Sequence, residues 1–262
     1  MCSKELNKKN YTMKILLLMS SVPDTTSKIN FKDNDTKFDE TGIQFVINPH
    51  DEFALTKAMQ IKEKHGGELV VLNVGTAKTE PVIRKVLAIG ADRAVRIDTE
   101  PKDSYFTAVQ IADFIKKNND FDLIFAGKES IDYNGGMVHG LVAEMTGKSF
   151  INAVIGLEIK DGKKAEVARE IEGGKEIMET ELPLVIGGQK GLVKEEELRI
   201  PNMRGIMMAR KKPLEVIPPV EAEVRTKIEK FEKPPVKGSI KMIDKDNLDE
   251  LIDLLHNEAK VI

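Results

Sequence analysis

Short apolar runs alternate, in the first half of the chain, with longer stretches whose apolar residues recur every three or four positions. Lys14–Met19 (KILLLM), Glu68–Val74 (ELVVLNV), Ala94–Ile97 and Leu123–Ala126 (LIFA) are the runs. Their length and their lack of a polar face predict buried strands of a parallel sheet. Between them, Ala54, Leu55, Ala58 and Ile61 mark the inner face of a helix that opens at Asn48-Pro49-His50-Asp51 and stops at Gly66-Gly67. Asn48 suits the cap, Pro49 the first helical position, and Asp51 lies three residues after the cap. Further helices are predicted from Thr79-Glu80-Pro81 to Ile89-Gly90, over Ser104–Asn118, and up to Thr146-Gly147. Ser20–Ile47 lacks a long periodic stretch and reads as a loop with a small hairpin.

This alternation implies an α/β fold: a doubly wound, mostly parallel, Rossmann-like sheet of the adenine-nucleotide-binding kind. After Ile151 the spacing tightens. Ala153–Ile159, Ala165–Ile171, Glu176–Glu181 and Leu184–Ile186 predict antiparallel additions. From Glu195 onward, Pro213, Pro218-Pro219 and Pro234-Pro235 punctuate a charged, extended arm, in which only Asp244–Asn257 recovers a helical period. The expected division is a disordered leader over residues 1–12, a nucleotide-binding domain over 13–194 and a C-terminal arm over 195–262. An arm that ends in an amphipathic helix needs a surface to dock on, its own domain's or another subunit's.

Composition narrows the function classes. The chain has 262 residues, a formal net charge of −3 and a single cysteine, Cys2. One cysteine excludes a disulfide framework and a cysteine-bound cluster, and fits a reducing, cytoplasmic setting. Near-neutral charge argues against nucleic acid as main partner. No apolar run is long enough to insert in a membrane. The four histidines, His50, His65, His139 and His256, match no metal spacing. Val142 stands where a P-loop ending in Gly147-Lys148-Ser149 would need its first glycine. No catalytic residue is assigned, and redox work would belong to a bound cofactor.

The segment Gly127-Lys128-Glu129-Ser130-Ile131-Asp132-Tyr133-Asn134-Gly135-Gly136 follows a strand and precedes a helix, at the edge where such sheets bind ligands. Its glycines allow close backbone approach, and N–H groups at the next helix start suit a phosphate. An ordinary turn between strand and helix has the same composition. Arg199–Lys212 pairs Ile and Met with basic residues, which suits either an adaptable docking surface or packing on its own domain.

Six segments in order, KILLLM, NPHDEFAL, VLAIGADRAVRI, GKESIDYNGG, VAREIEGG and IPNMRGIMMARKKPLEV, resemble the beta subunit of the electron-transfer flavoprotein family from about Met13 to Ile262. The resemblance implies a heterodimer with an alpha subunit. It also implies electron carriage from flavoprotein dehydrogenases, such as those of fatty acid beta-oxidation acting on acyl-CoA, to a membrane quinone oxidoreductase. The redox FAD would be held mainly by the alpha subunit, and AMP by this chain. In an electron-bifurcating relative with NADH reactivity, a second FAD would take the AMP site. Carried over by position, the site comprises Leu18, Asn48, Pro49, His50, Asp51 and Val74. It continues through Gly127, Lys128, Glu129, Ser130, Ile131, Asp132, Tyr133, Asn134, Gly135, Gly136, Met137 and Val138. Many AMP-binding relatives have Asn-Gln-Thr where Gly136-Met137-Val138 stands here, which leaves only backbone groups there. Ile200, Pro201, Asn202, Met203 and Ile206 correspond to the family's docking loop for dehydrogenases. A stand-alone nucleotide-binding regulator, sharing the fold without the partner, is the alternative from another class.

Overall fold

The structure is a computed structural model that describes residues 12–236 and 238–262. Residues 1–11 of the expected leader lie outside the described residues. The described chain divides into two units. One runs through Asn30 and from Asp39 to Ile228, and the other joins Phe31–Phe38 to Glu229–Ile262.

In the first unit, β1 (Met13–Leu18) leads to β2 (Ser21–Pro23), which pairs antiparallel with β5 (Phe45–Ile47). The intervening β3 (Phe31–Lys32) and β4 (Lys37–Phe38) belong to the second unit. Then follow α1 (Pro49–His65), β6 (Gly67–Val74), α2 (Glu80–Ile89), β7 (Arg93–Ile97), α3 (Ser104–Lys117), β8 (Leu123–Gly127) and α4 (Val138–Thr146). The unit continues with β9 (Ser149–Lys160), β10 (Lys164–Ile171), β11 (Gly174–Glu181), β12 (Leu184–Gly188), α5 (Met203–Ala209) and β13 (Leu214–Ile217).

Nine of these strands form one sheet in the order β11-β10-β9-β12-β8-β1-β6-β7-β13. Every pairing from β9 across to β13 is parallel, and β9-β10-β11 are antiparallel. The strands read as apolar runs because both faces are covered. Ile15 and Leu17 of β1 pack with Leu55 of α1 and Ile83 of α2, while Leu16 and Leu18 pack with Ile111 of α3 and Val142 of α4. The predicted doubly wound α/β sheet is present.

The structure differs from the sequence reading at two strands. Leu184–Ile186 does not continue the antiparallel ladder. As part of β12 it inserts between β8 and β9, parallel to both. A five-residue strand buried throughout belongs in a sheet interior, which an antiparallel edge does not offer. Leu214–Ile217, bracketed by Pro213 and Pro218, lies in the stretch that the sequence predicts to be an extended arm. It forms the outer strand beside β7, where flanking prolines cost no interior hydrogen bond. Beyond it, Gln110 of α3 holds the backbone of Val220 through both amide atoms. Asp103 caps α3 at Phe106 N (2.7 Å) and also accepts from Thr226 N (2.8 Å).

In the second unit, Phe31 stacks on Phe231 with centroids 4.8 Å apart. The helical pattern near the end of the chain becomes α6 (Leu248–Asp253). Its Leu248 and Ile252 are exposed. No helix among the described residues is long and apolar enough to cross a membrane.

Candidate functional site

The sheet order fixes where a ligand would sit. From β1 the chain moves through α1 to β6 and on to β7, then returns through α3 to β8 on the other side of β1. Helices therefore leave β1 and β8 on opposite faces, and a crevice opens between the carboxyl ends of these two strands.

Asp51 lies at that crevice. Its side chain is buried, at 2% exposure. Its carboxylate accepts from Ser20 N, just past β1, at 2.7 Å, and from Gly127 N, the last residue of β8, at 2.7 Å. Asn48 Nδ2 donates to it at 3.1 Å. One carboxylate thus ties both strand ends to the first turn of α1.

Asn48 behaves differently from the cap that the sequence predicts. Its side chain makes no capping bond to α1. Nδ2 instead donates to Glu129 O (2.9 Å), and Oδ1 accepts from Ile131 N (3.4 Å). Pro49 at the helix start removes one N–H that would have needed a cap. The amide is left available for the loop after β8.

That loop is folded on itself. Ser130 N bonds Gly135 O at 3.0 Å, and Asp132 accepts from Ser130 Oγ (2.6 Å) and Tyr133 N (2.9 Å). Asn134 takes a positive φ of 51° at the tip. Gly127 has no room for a side chain: a Cβ there would lie 2.6 Å from Asp51 Oδ1 and 2.6 Å from His50 Cβ. The N–H groups of Gly127, Lys128, Ser130, Ile131 and Tyr133 all have protein acceptors. The backbone donors opening α4, which has no side-chain cap, are among those left for an anion. Tyr133 and Met137 stand exposed beside them.

Charges here are arranged around His50. Its Nε2 lies 3.5 Å from Glu129 Oε1. Burial holds the imidazole below its usual range, against the pull of Glu129 and with help from Lys128. His50 Nδ1 and Ser21 Oγ are buried without a partner among the described residues, on the two segments that Asp51 joins. Two orphaned polar atoms at this crevice are groups that a bound polar molecule would satisfy.

Burial raises the Asp51 pKa to about 7, against the donors from Ser20, Asn48 and Gly127. The unfolded carboxyl titrates near 4, so between about pH 4 and 7 the folded chain keeps a proton that the unfolded chain gives up. Stability from this group is present at the acid end and falls as pH rises through that window, by about 4 kcal/mol. Asp51→Asn is expected to flatten this slope, whatever its own fixed cost. Urea unfolding of both proteins at several pH values across the window checks it, and parallel curves would remove Asp51 as the titrating group.

The other candidate residues fall in two places. Leu18 ends β1 and is buried, and Val74 ends β6. They are joined to the crevice through Asn73, whose Nδ2 donates to Met19 O (2.9 Å) and whose Oδ1 accepts from Thr79 Oγ1 (2.7 Å). Arg96, buried at the end of β7, donates to Gly75 O (2.9 Å) and pairs with Glu80 (3.1 Å). Asn73 and Arg96 were missed in the sequence, although each is a polar residue inside an apolar run near its carboxyl end. Ile200, Pro201, Asn202, Met203 and Ile206 lie elsewhere, on and before α5.

α5 is bolted down by its small residues and backbone. A Cβ on Gly205 would meet Ala88 O at 2.3 Å, Ala209 is buried, and Arg84 bonds Ala209 O and Lys212 O at 2.8 Å each. Asn202 caps the helix at Gly205 N (2.8 Å). The large apolar residues point outward: Ile200 is 80% exposed and Met203 75%, with Ile206, Met207 and Met208 also exposed. No group of three or more potential metal ligands occurs among the described residues.

The sequence model of the Electron transfer flavoprotein domain matches residues 35–222. The "Electron transfer flavoprotein subunit beta" of Bacillus subtilis (strain 168) is 37% identical over 95% of this chain and 100% of its own length. The protein of the same name from Syntrophomonas wolfei is 37% identical over 95% of this chain and 98% of its own. "Caffeyl-CoA reductase-Etf complex subunit CarD" of Acetobacterium woodii is 28% identical, again over 95% of this chain and 98% of its own.

Proposed function

The chain belongs to the electron transfer flavoprotein beta-subunit family, and on that premise we propose that it is the beta half of a heterodimeric electron carrier. It binds AMP at the crevice between β1 and β8, pairs with an alpha subunit that holds most of the redox FAD, and presents α5 to electron-donating flavoprotein dehydrogenases, acyl-CoA dehydrogenases among them. Electrons then pass to a membrane quinone oxidoreductase. The isoalloxazine of the FAD supplies the electron carriage when bound. This chain's residues bind, orient and dock.

The observation that supports this reading most is the Asp51 hub. It holds α1, the end of β1 and the loop from Gly127 to Ile131 as one piece, and it leaves the uncapped start of α4 beside them. Val138 and the residues after it would take a phosphate through backbone N–H groups. His50 and Ser21 would meet a ribose or base with their unpartnered atoms. The site is built from Leu18, Asn48–Asp51, Val74 and the loop from Gly127 to Val138.

A second reading is an electron-bifurcating subunit with its own FAD in this crevice. Two observations favour it: the likeness to a subunit of a caffeyl-CoA reductase–Etf complex, and Tyr133 and Met137, which offer exposed apolar area beside α4. Mass spectrometry of small molecules released from the denatured heterodimer separates the two. The carrier yields AMP and about one FAD per heterodimer, and the bifurcating form about two FAD and no AMP. Release of neither nucleotide at the second site would overturn both site assignments.

A further inference from the structure

Away from the crevice, a groove of about 360 Å³ runs between the outer face of α1 and β9. Lys57, Gln60, Lys64 and His65 line it from α1, and Leu157 and Glu158 from β9. Positions 57, 60, 64 and 65 share one helix face by spacing. Among the described residues, burial destabilises the ammonium of three lysines, Lys57, Lys148 and Lys212. Lys148 donates to Asn119 Oδ1 (3.0 Å), and Lys212 to Leu87 O (2.9 Å) and Ala91 O (2.6 Å). Both ammonium groups are therefore tied down by protein acceptors.

Lys57 has neither a hydrogen bond nor a close ion pair among the described residues, and it opens onto the groove. Lys64, on the same face, pushes its charge off, while Glu158 from β9 and Glu197 pull the other way and are outweighed by burial. Lys64 itself is exposed at the mouth, where its charge attracts anions.

We propose that Lys57 is a preferred site of acylation by acyl thioesters whose carrier bears phosphates. The free amine attacks the thioester carbonyl, an N–C bond forms as the C–S bond breaks, and the carrier leaves as its thiol. The ammonium proton has gone to water beforehand, and no electrons are gained or lost. Lys64 at the mouth draws in the phosphates of the carrier, and the half-buried stem of Lys57 presents the nucleophile.

The full-length chain in its native complex, incubated with acetyl-CoA and followed by site-resolved mass spectrometry, tests this. Lys57 is expected to acylate at least about fivefold faster than the exposed Lys211 and Lys227, and its rate should level off at lower pH than theirs. The preference should vanish in concentrated urea, and Lys64→Gln should slow Lys57 while leaving Lys211 and Lys227 unchanged. A Lys57 rate no greater than theirs, a preference that survives urea, or a Lys64→Gln variant with an unaltered Lys57 rate would each overturn the assignment.

Discussion

Gly127→Ala is expected to cost about 2–4 kcal/mol of folding stability and to empty the crevice of nucleotide. The new methyl would stand 2.6 Å from Asp51 Oδ1, 2.6 Å from His50 Cβ and 2.9 Å from Asn48 Nδ2. Two of these are side-chain tips, but both are held by buried hydrogen bonds. The third is the root of a side chain on the helix start. Relief must come from parting α1 and β8, which breaks the Gly127 N to Asp51 bond and leaves a buried carboxylate short of a donor. Gly135→Ala, in the same loop, meets nothing within 4 Å and is expected to change stability by less than about 0.5 kcal/mol. Urea unfolding and nucleotide content of both variants check the pair. Equal effects would mean that the loop, and not the hub, carries the structure.

Ile200→Asp is expected to abolish electron acceptance from the donor dehydrogenase while leaving fold and heterodimer intact. At 80% exposure, Ile200 contributes little to the core, so a charge there costs the free protein almost nothing. Placed into an apolar pocket on a partner, the same charge costs several kcal/mol, about a thousandfold in affinity. α5 makes the effect local, since Gly205, Ala209 and Asn202 hold the helix in place independently of Ile200. Rates of electron transfer from dehydrogenase to heterodimer, measured against protein concentration, check it. Unchanged turnover would take Ile200 out of docking.

The parallel core was legible because its strands are short and apolar on both faces, and because Gly66-Gly67 and Gly147 mark where helices stop. β12 escaped correct placement because a buried apolar run gives no sign of which neighbours it pairs with. β13 escaped notice because its flanking prolines read as an extended linker.

At the candidate site, the Asn48-Pro49-His50-Asp51 run stood out as a helix start, and its residues do open α1. The sequence did not reveal that Asn48 turns away from the helix or that Asp51 is buried. Those facts depend on β8 ending beside α1, which brings Gly127 to Asp51, 76 positions away. Asn73 and Arg96 were visible as polar breaks in apolar runs, but only the sheet order gives such breaks a common edge.

The central claim is that this chain works as one half of a two-subunit carrier and depends on its partner for the redox flavin. Co-expression with an alpha subunit of the same family, followed by size-exclusion chromatography with absorbance read at flavin wavelengths, tests it most directly. The chain alone is expected to elute colourless, and the co-expressed pair to elute together as an equimolar yellow complex. A lone chain that elutes as a monomer with bound flavin, or a failure of the two chains to associate, would contradict it.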